Sequence, residues 1–156
     1  MVACKIDPPS PLHYTWDLYQ PTSIMWGATG RAILAFLPES DLTELIGEAE
    51  PSPATGAPLP PAPKLRAELA QIRDRGYAIT HGQKITDAVG LAAPVFADGC
   101  SPVGSLCVTV PKFRFQWKME SKIATILVRE AGKLSEVLGC TNGPSGGRHR
   151  YPWRAA

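Results

Sequence analysis

Apolar residues return at helical spacing in some parts of the chain and run almost unbroken in others. The segment KLRAELAQIRDRGYA places Leu65, Leu69 and Ile72 on one face, which predicts a helix. Arg73 and Arg75 fall in its last turn, where cations suit the negative helix end, and Gly76 is placed to cap it in the left-handed conformation. From Trp117 to Leu138, Met119, Ile123, Ile126, Leu127, Leu134 and Leu138 recur with the same period, and Gly139 stops the run. An earlier helix is expected from about Gly27 to Leu37 (GATGRAILAFL), ended by Pro38. A shorter one begins near Ser40 or Asp41, with Asp41 and Glu44 spaced as a capping pair and Leu42, Leu45 and Ile46 turned inward. AVGLAAPVFA (Ala88 to Ala97) and VGSLCVTVP (Val103 to Pro111) read as strands joined by the turn DGCSP, and Tyr77 to Thr80 reads as a third, earlier strand. LHYTWDLY (Leu12 to Tyr19) has strand-forming residues, but Pro8, Pro9, Pro11 and Pro21 interrupt its surroundings. Adjacent strands joined by tight turns pair antiparallel. The expected class is therefore α+β, with helices packed on an antiparallel sheet.

At 156 residues the chain fits one domain, and 44% apolar against 19% charged residues is a folding composition. Residues 50–63, EPSPATGAPLPPAP, hold six prolines and form an extended surface loop within that domain. Residues 140–156 are glycine-rich and basic, a mobile tail by composition. The net charge of +2 is too small to imply a nucleic-acid partner, but it is uneven. Residues 1–50 carry a net −5 and the remainder +7, a balance that fits an anionic ligand or a solvated helix face. Cys4, Cys100, Cys107 and Cys140 form no close pair of the kind zinc needs, and His13, His81 and His149 do not complete one. There is no signal peptide pattern and no apolar run near the about 20 residues that cross a bilayer. A cytoplasmic protein with free thiols, bound to neither metal nor membrane, is expected.

Three stretches in order carry a resemblance. GATGRAILAFLPESDL, LRAELAQIRDRGYA, and VGLAAPVFADG followed by GSLCVTVP are similar to the effector-binding domain of IclR-type bacterial transcriptional regulators, over about Ser23 to Gly139. The resemblance implies a GAF-like or profilin-like domain across 23–139 that binds a small-molecule effector on one face of its sheet. It implies no catalysis and no cofactor. It also implies assembly, as a homo-oligomer or with a full-length IclR-type regulator. Complete members carry an N-terminal winged helix-turn-helix; residues 1–22 match the family poorly and are too short for one, so no direct DNA contact is expected from this chain. Gln83, Asp87 and Gly90 depart from residues common in the family, so effector identity does not transfer.

A ligand pocket needs apolar walls and a few polar groups that fix orientation. Ala28, Thr29 and Gly30 suit close approach to a helix start, whose N–H groups attract anions. Ala88 and Gly90 share one strand face, as do Cys107 and Thr109, and the resemblance puts those faces in the effector pocket. Thr80 and His81 match a polar place that contacts effectors in the family. Arg31, next to the glycine, reads as a solvent-facing helix position. The expected function is sensing of an organic or aromatic acid. The alternative is an interaction module with a vestigial pocket. An enzyme with Cys107 or Cys140 as nucleophile and His81 as base would need a base within reach of a thiol, which the sequence does not show.

Overall fold

The structure, a computed structural model, describes residues 1–9, 14–98 and 101–140. Within them α1 (Gly27–Leu34), α2 (Glu39–Gly47) and α3 (Ala62–Arg75) precede β1 (Ala78–His81), β2 (Ala88–Phe96) and β3 (Pro102–Pro111). A 3-10 turn at Lys112–Arg114 then leads into α4 (Trp117–Val137). The strands pair antiparallel in the order β1-β2-β3, so the molecule is α+β as expected.

Strand alternation sorts the core into two layers. On one face Ala78 and Ala92 pack with Ala28 and Ala32 of α1 and with Leu65, Leu69 and Ile72 of α3. On the other, Val89, Leu91, Ala93 and Val95 pack against Leu127, Val128 and Ala131 of α4. Both faces of β2 are covered, which is why its sequence reads as a continuous apolar run.

The first helix lies unusually close to the chain that leads into it. A Cβ added at Gly30 would sit 1.7 Å from the Ile24 carbonyl oxygen, so only glycine lets that backbone pass. The helix ends at Leu34, three residues short of the expected Leu37, because the residue before a proline is pushed out of the helical region and Pro38 follows. Pro38, rather than Ser40 or Asp41, stands at the N-cap of α2; no side chain caps it, and Ser40 Oγ bonds the Asp41 carboxylate instead. Residues Ala62 and Pro63, read as the end of the extended loop, already belong to α3, where proline suits the first turn. Gly76 caps α3 at φ 80°, its N–H donating to the Ile72 carbonyl.

Two expectations are corrected. In α4 the buried face is Ala124, Leu127, Val128, Ala131, Gly132 and Ser135, whereas Ile126, Leu134 and Leu138 are exposed. Leu127 and Val128, with Ile123 beside them, pack on the sheet as expected, while Ala124, Ala131, Gly132 and Ser135 fill the rest of that face and leave Ile126, Leu134 and Leu138 outside. In the proline-interrupted N-terminal segment, Tyr14 to Tyr19 contribute a lone bridge from Leu18 to Val2, and Leu12 and His13 lie outside the described residues. Cys4 and Cys107 are free, but Cys140 is disulfide-bonded, against the expectation of free thiols. Cys100, His149 and the tail from 141 onward lie outside the described residues.

Gly30→Ala is expected to destabilise the fold by about 1–3 kcal/mol or more, because backbone must move to admit the methyl. Gly47→Ala, with nothing within 4 Å of its added Cβ, is expected to change stability by no more than about 1 kcal/mol. Urea unfolding of both variants checks this, and equal midpoints would contradict the close passage at Ile24.

Candidate ligand-binding site

The polar segment HGQKITD closes the β1–β2 connection. Gly82 adopts φ 65° and its N–H donates to the Ala88 carbonyl, while the Ala88 N–H donates to the Ile85 carbonyl. The loop is held from outside by segments distant in sequence. Ser52 of the proline-rich stretch is buried and donates from Oγ to the Gln83 carbonyl at 2.7 Å. Tyr14 donates its hydroxyl to the Asp87 carbonyl at 2.6 Å. Trp16 lies with its ring centroid 5.8 Å from Lys84 Nζ.

Register brings most of the expected residues together. Thr80, Gly90 and Thr109 stand opposite one another across the three strands, with Ala78, Ala92 and Cys107 in the adjacent row. Ala28 sits directly over Gly90: a Cβ there would lie 3.3 Å from the Ala28 methyl and 3.5 Å from Thr80 Oγ1. Cys107 Sγ lies 3.8 Å from Thr109 Oγ1, and Ser105 ties the Thr29 carbonyl to β3 at 3.2 Å. Ala88 is buried at the start of β2. Gly30 faces the Ile24 backbone rather than the sheet. His81 does not join the group. Strand alternation turns it to the α4 side, exposed, with its ring 6.1 Å from Phe115 and 5.5 Å from Trp117. It therefore faces away from Cys107, and the cysteine–histidine pairing that an enzyme reading needs is not formed.

A cleft of about 230 Å³ is lined by Ser23, Trp26, Glu50, Pro51, Pro53 and Lys84, and none of the expected site residues is part of its lining. Trp26 is fixed by its indole N–H, which donates to the Glu50 carbonyl at 2.9 Å. The Lys84 stem crosses the first residue of α1; a Cβ at Gly27 would lie 3.2 Å from Lys84 Cβ. Its ammonium donates to the Ser23 carbonyl at 3.5 Å and forms no ion pair among the described residues. Helix α1 has no side-chain cap, so its first N–H groups are not occupied by a side chain of the chain itself. Gln83 Oε1 is buried without a hydrogen-bond partner nearby in the same loop.

Charge in this region is partly desolvated. Burial lowers the Lys84 pKa from the ordinary lysine value, and the neighbouring Cys107 opposes that shift. Burial pushes the Cys107 thiol up, opposed by the Thr109 hydroxyl and then by the Lys84 charge. Arg31 is fully buried, against the expectation of a solvent-facing position. Its Nε lies 3.5 Å from Glu68 Oε1, the Trp26 ring stands 5.7 Å from Cζ, and its three side-chain nitrogens lack hydrogen bonds. Burial lowers its pKa, and Glu68 acts in the opposite sense.

The bacterial transcriptional regulator IclR C-terminal family matches residues 5–136, most of the chain. The chain belongs to this family. The IclR-family domain is 35% identical over 117 residues to the probable HTH-type transcriptional regulator ArcR of Halobacterium salinarum, a match spanning 75% of this chain and 44% of that protein. It superposes on the Thermotoga maritima IclR crystal structure with a TM-score of 0.78 at 25% identity, covering 86% of this chain and 54% of that one. A putative IclR transcriptional regulator from Silicibacter matches with a TM-score of 0.77 at 24% identity, over 87% and 53% of the two chains, and shows the shared fold. The chain thus spans about half the length of these relatives. The relatives are transcriptional regulators. No helix among the described residues is long and apolar enough to cross a membrane, and no group of three His, Cys, Asp or Glu is placed to hold a metal ion.

Lys84 and Trp26, which line the cleft, and Trp16 and Ser52, which contact its loop, are residues that sequence reasoning missed. Lys84 carried a weak signal, being the one cation in an otherwise uncharged turn before Asp87. The contacts that place it come from residues some 30 to 70 positions away and have no local pattern. Heteronuclear NMR titration is expected to give the Lys84 ε-amine a midpoint below the ordinary lysine value, since burial is the leading cause of its shift. A midpoint at or above that value would mean the ammonium is fully hydrated.

Proposed function

We propose that this domain senses a small organic or aromatic acid as part of an IclR-type regulator, binding it in the cleft at the start of α1. The observation that carries the reading is the Lys84 ammonium, which has no ion-pair partner among the described residues and stands beside a helix start with no side-chain cap. A carboxylate there meets a charge-assisted donor and the positive end of the helix. Trp26, Pro51 and Pro53 supply apolar walls for the rest of the molecule, and Glu50 limits how much negative charge the cleft accepts. The expected residues Thr80, Gly90, Thr109 and Cys107 lie together on the sheet, with Ala28 packed on Gly90, and a ligand that reached them would extend beyond the lining of the cleft. DNA contact is assigned to the part of the relatives that this chain does not match.

A second reading, an interaction module that assembles with a full-length regulator, draws on α4. Its outer face exposes Ile126, Leu134, Val137 and Leu138, the last three close together near the helix end. Apolar side chains grouped on one face are what a protein partner covers.

Thermal unfolding against a panel of aliphatic and aromatic acids is expected to show stabilisation by at least one of them. Lys84→Met is expected to weaken that binding roughly 10- to 100-fold, the loss of one charge-assisted hydrogen bond. If no acid shifts the midpoint, the sensing reading fails. Light scattering then tests the second: Leu134→Glu is expected to dissociate an assembly that the parent chain forms, and an unchanged mass would remove α4 from the interface.

A further inference from the structure

Strand β3 borders the sheet, with β2 on one side only. Which of its backbone groups face outward follows from a single bond. The Lys112 N–H donates to the Asp87 carbonyl at 2.7 Å, one residue beyond the Ala88–Pro111 pair. In an antiparallel ladder, residues that bond a neighbour alternate with residues whose backbone faces away from it. Val110, Val108 and Leu106 therefore bond β2, and Thr109, Cys107 and Ser105 turn their N–H and C=O groups outward. Those outward groups have no backbone partner among the described residues. The devices that keep an edge unpaired are also missing here. No charged residue stands between Pro102 and Pro111, the pairing is regular from Gly104 to Val110, and Val103 and Val108 are 58% and 37% exposed. The two prolines flank the regular stretch without interrupting it. We propose that two copies of this chain join along this edge, β3 against β3, into one continuous antiparallel sheet.

The hydrogen-bond pattern fits a second copy and fixes the register. Two identical edges pair antiparallel about a two-fold axis, and outward residues must then meet outward residues. An axis at Cys107 sets Ser105 opposite Thr109 of the partner subunit and Cys107 opposite itself, so each outward group of the regular stretch finds its bond. An axis at Val108 would set Ser105 against Pro111, which has no N–H. One at Leu106 would set Thr109 against Val103, beside the shift in register at the start of β3. Charge agrees with the antiparallel sense. The exposed Lys112, just past the end of β3 in one copy, lies toward the end of the other copy that carries the exposed Asp98. Along the strand itself no like charges meet, because it has none. This pairing is independent of the ligand reading, and it lies at the sheet edge, away from the outer face of α4.

The test uses the full chain in analytical ultracentrifugation over a concentration series, with amide hydrogen exchange read by NMR on the same samples. The expected result is a concentration-dependent dimer whose Ser105, Cys107 and Thr109 amides exchange about tenfold or more slower than in the monomer. The Leu106 and Val108 amides, already bonded to β2, are expected to change less. Val108→Lys puts a charge on the edge and is expected to weaken the dimer about tenfold or more, while the uncharged, β-branched Val108→Thr leaves it within about twofold. A chain that stays monomeric at every concentration overturns the proposal. So does a dimer whose Ser105, Cys107 and Thr109 amides exchange as fast as in the monomer, because its interface then lies elsewhere. If Val108→Lys does not fold, the amide rates of the parent chain decide alone.

Discussion

The structure depends on how closely α1 lies to its neighbours. At Gly30 the backbone of Ile24 passes where a side chain would stand, and at Gly90 the Ala28 methyl rests on bare backbone. These two approaches put the start of the helix against the sheet instead of a side chain's width above it. That placement lets the stem of Lys84 reach over Gly27 and lets Trp26 stand between the cleft and the buried Arg31. With larger residues at either position the helix start would rise, and the cleft would lose the wall that orients its charges.

Electrostatics follows from the same packing. Two cations, Lys84 and Arg31, are carried inward by α1 and by the loop beneath it, and each faces an indole. Arg31 has a carboxylate at 3.5 Å, whereas Lys84 has none among the described ion pairs. A desolvated charge without a partner is costly. The two sites resolve that cost differently: Arg31 sits closed beneath Trp26 with Glu68 reaching in, and Lys84 borders open space. The first is a structural ion pair, and the second leaves its charge at the edge of the cleft.

The elements were legible in the sequence because each has a local signature: Leu65, Leu69 and Ile72 on one helix face, Gly76 as a left-handed cap, and the apolar run of β2. The row of Thr80, Gly90 and Thr109 was legible too, since strand alternation fixes faces once a hairpin is assumed. Alternation also sends His81 to the opposite face from Thr80, so naming both as neighbours in one site conflicted with the period-two rule. The outer face of α4 misled because apolar spacing shows that a helix has a hydrophobic stripe. It does not show that each member of the stripe faces the same neighbour; here alanine, glycine and serine share the sheet side with Leu127 and Val128. Arg31 was misread because the charge alone argued for solvent, while the α3 residue that pairs with it lies 37 positions later in the sequence.

In the loop HGQKITD, Gln83 and Asp87 carry contacts that anchor the connection. Both residues hold the loop through main-chain carbonyls: Gln83 accepts from Ser52, and Asp87 accepts from Tyr14 and from the Lys112 N–H at 2.7 Å. Any residue offers the same carbonyl, so those side chains can vary without loosening the loop. The anchoring partners come from the N-terminal segment, the proline-rich stretch and the end of β3. Residues that looked least like parts of a site therefore act as its supports. Changes to these side chains thus leave the frame of the loop intact, and Lys84 is the residue of the loop that lines the cleft.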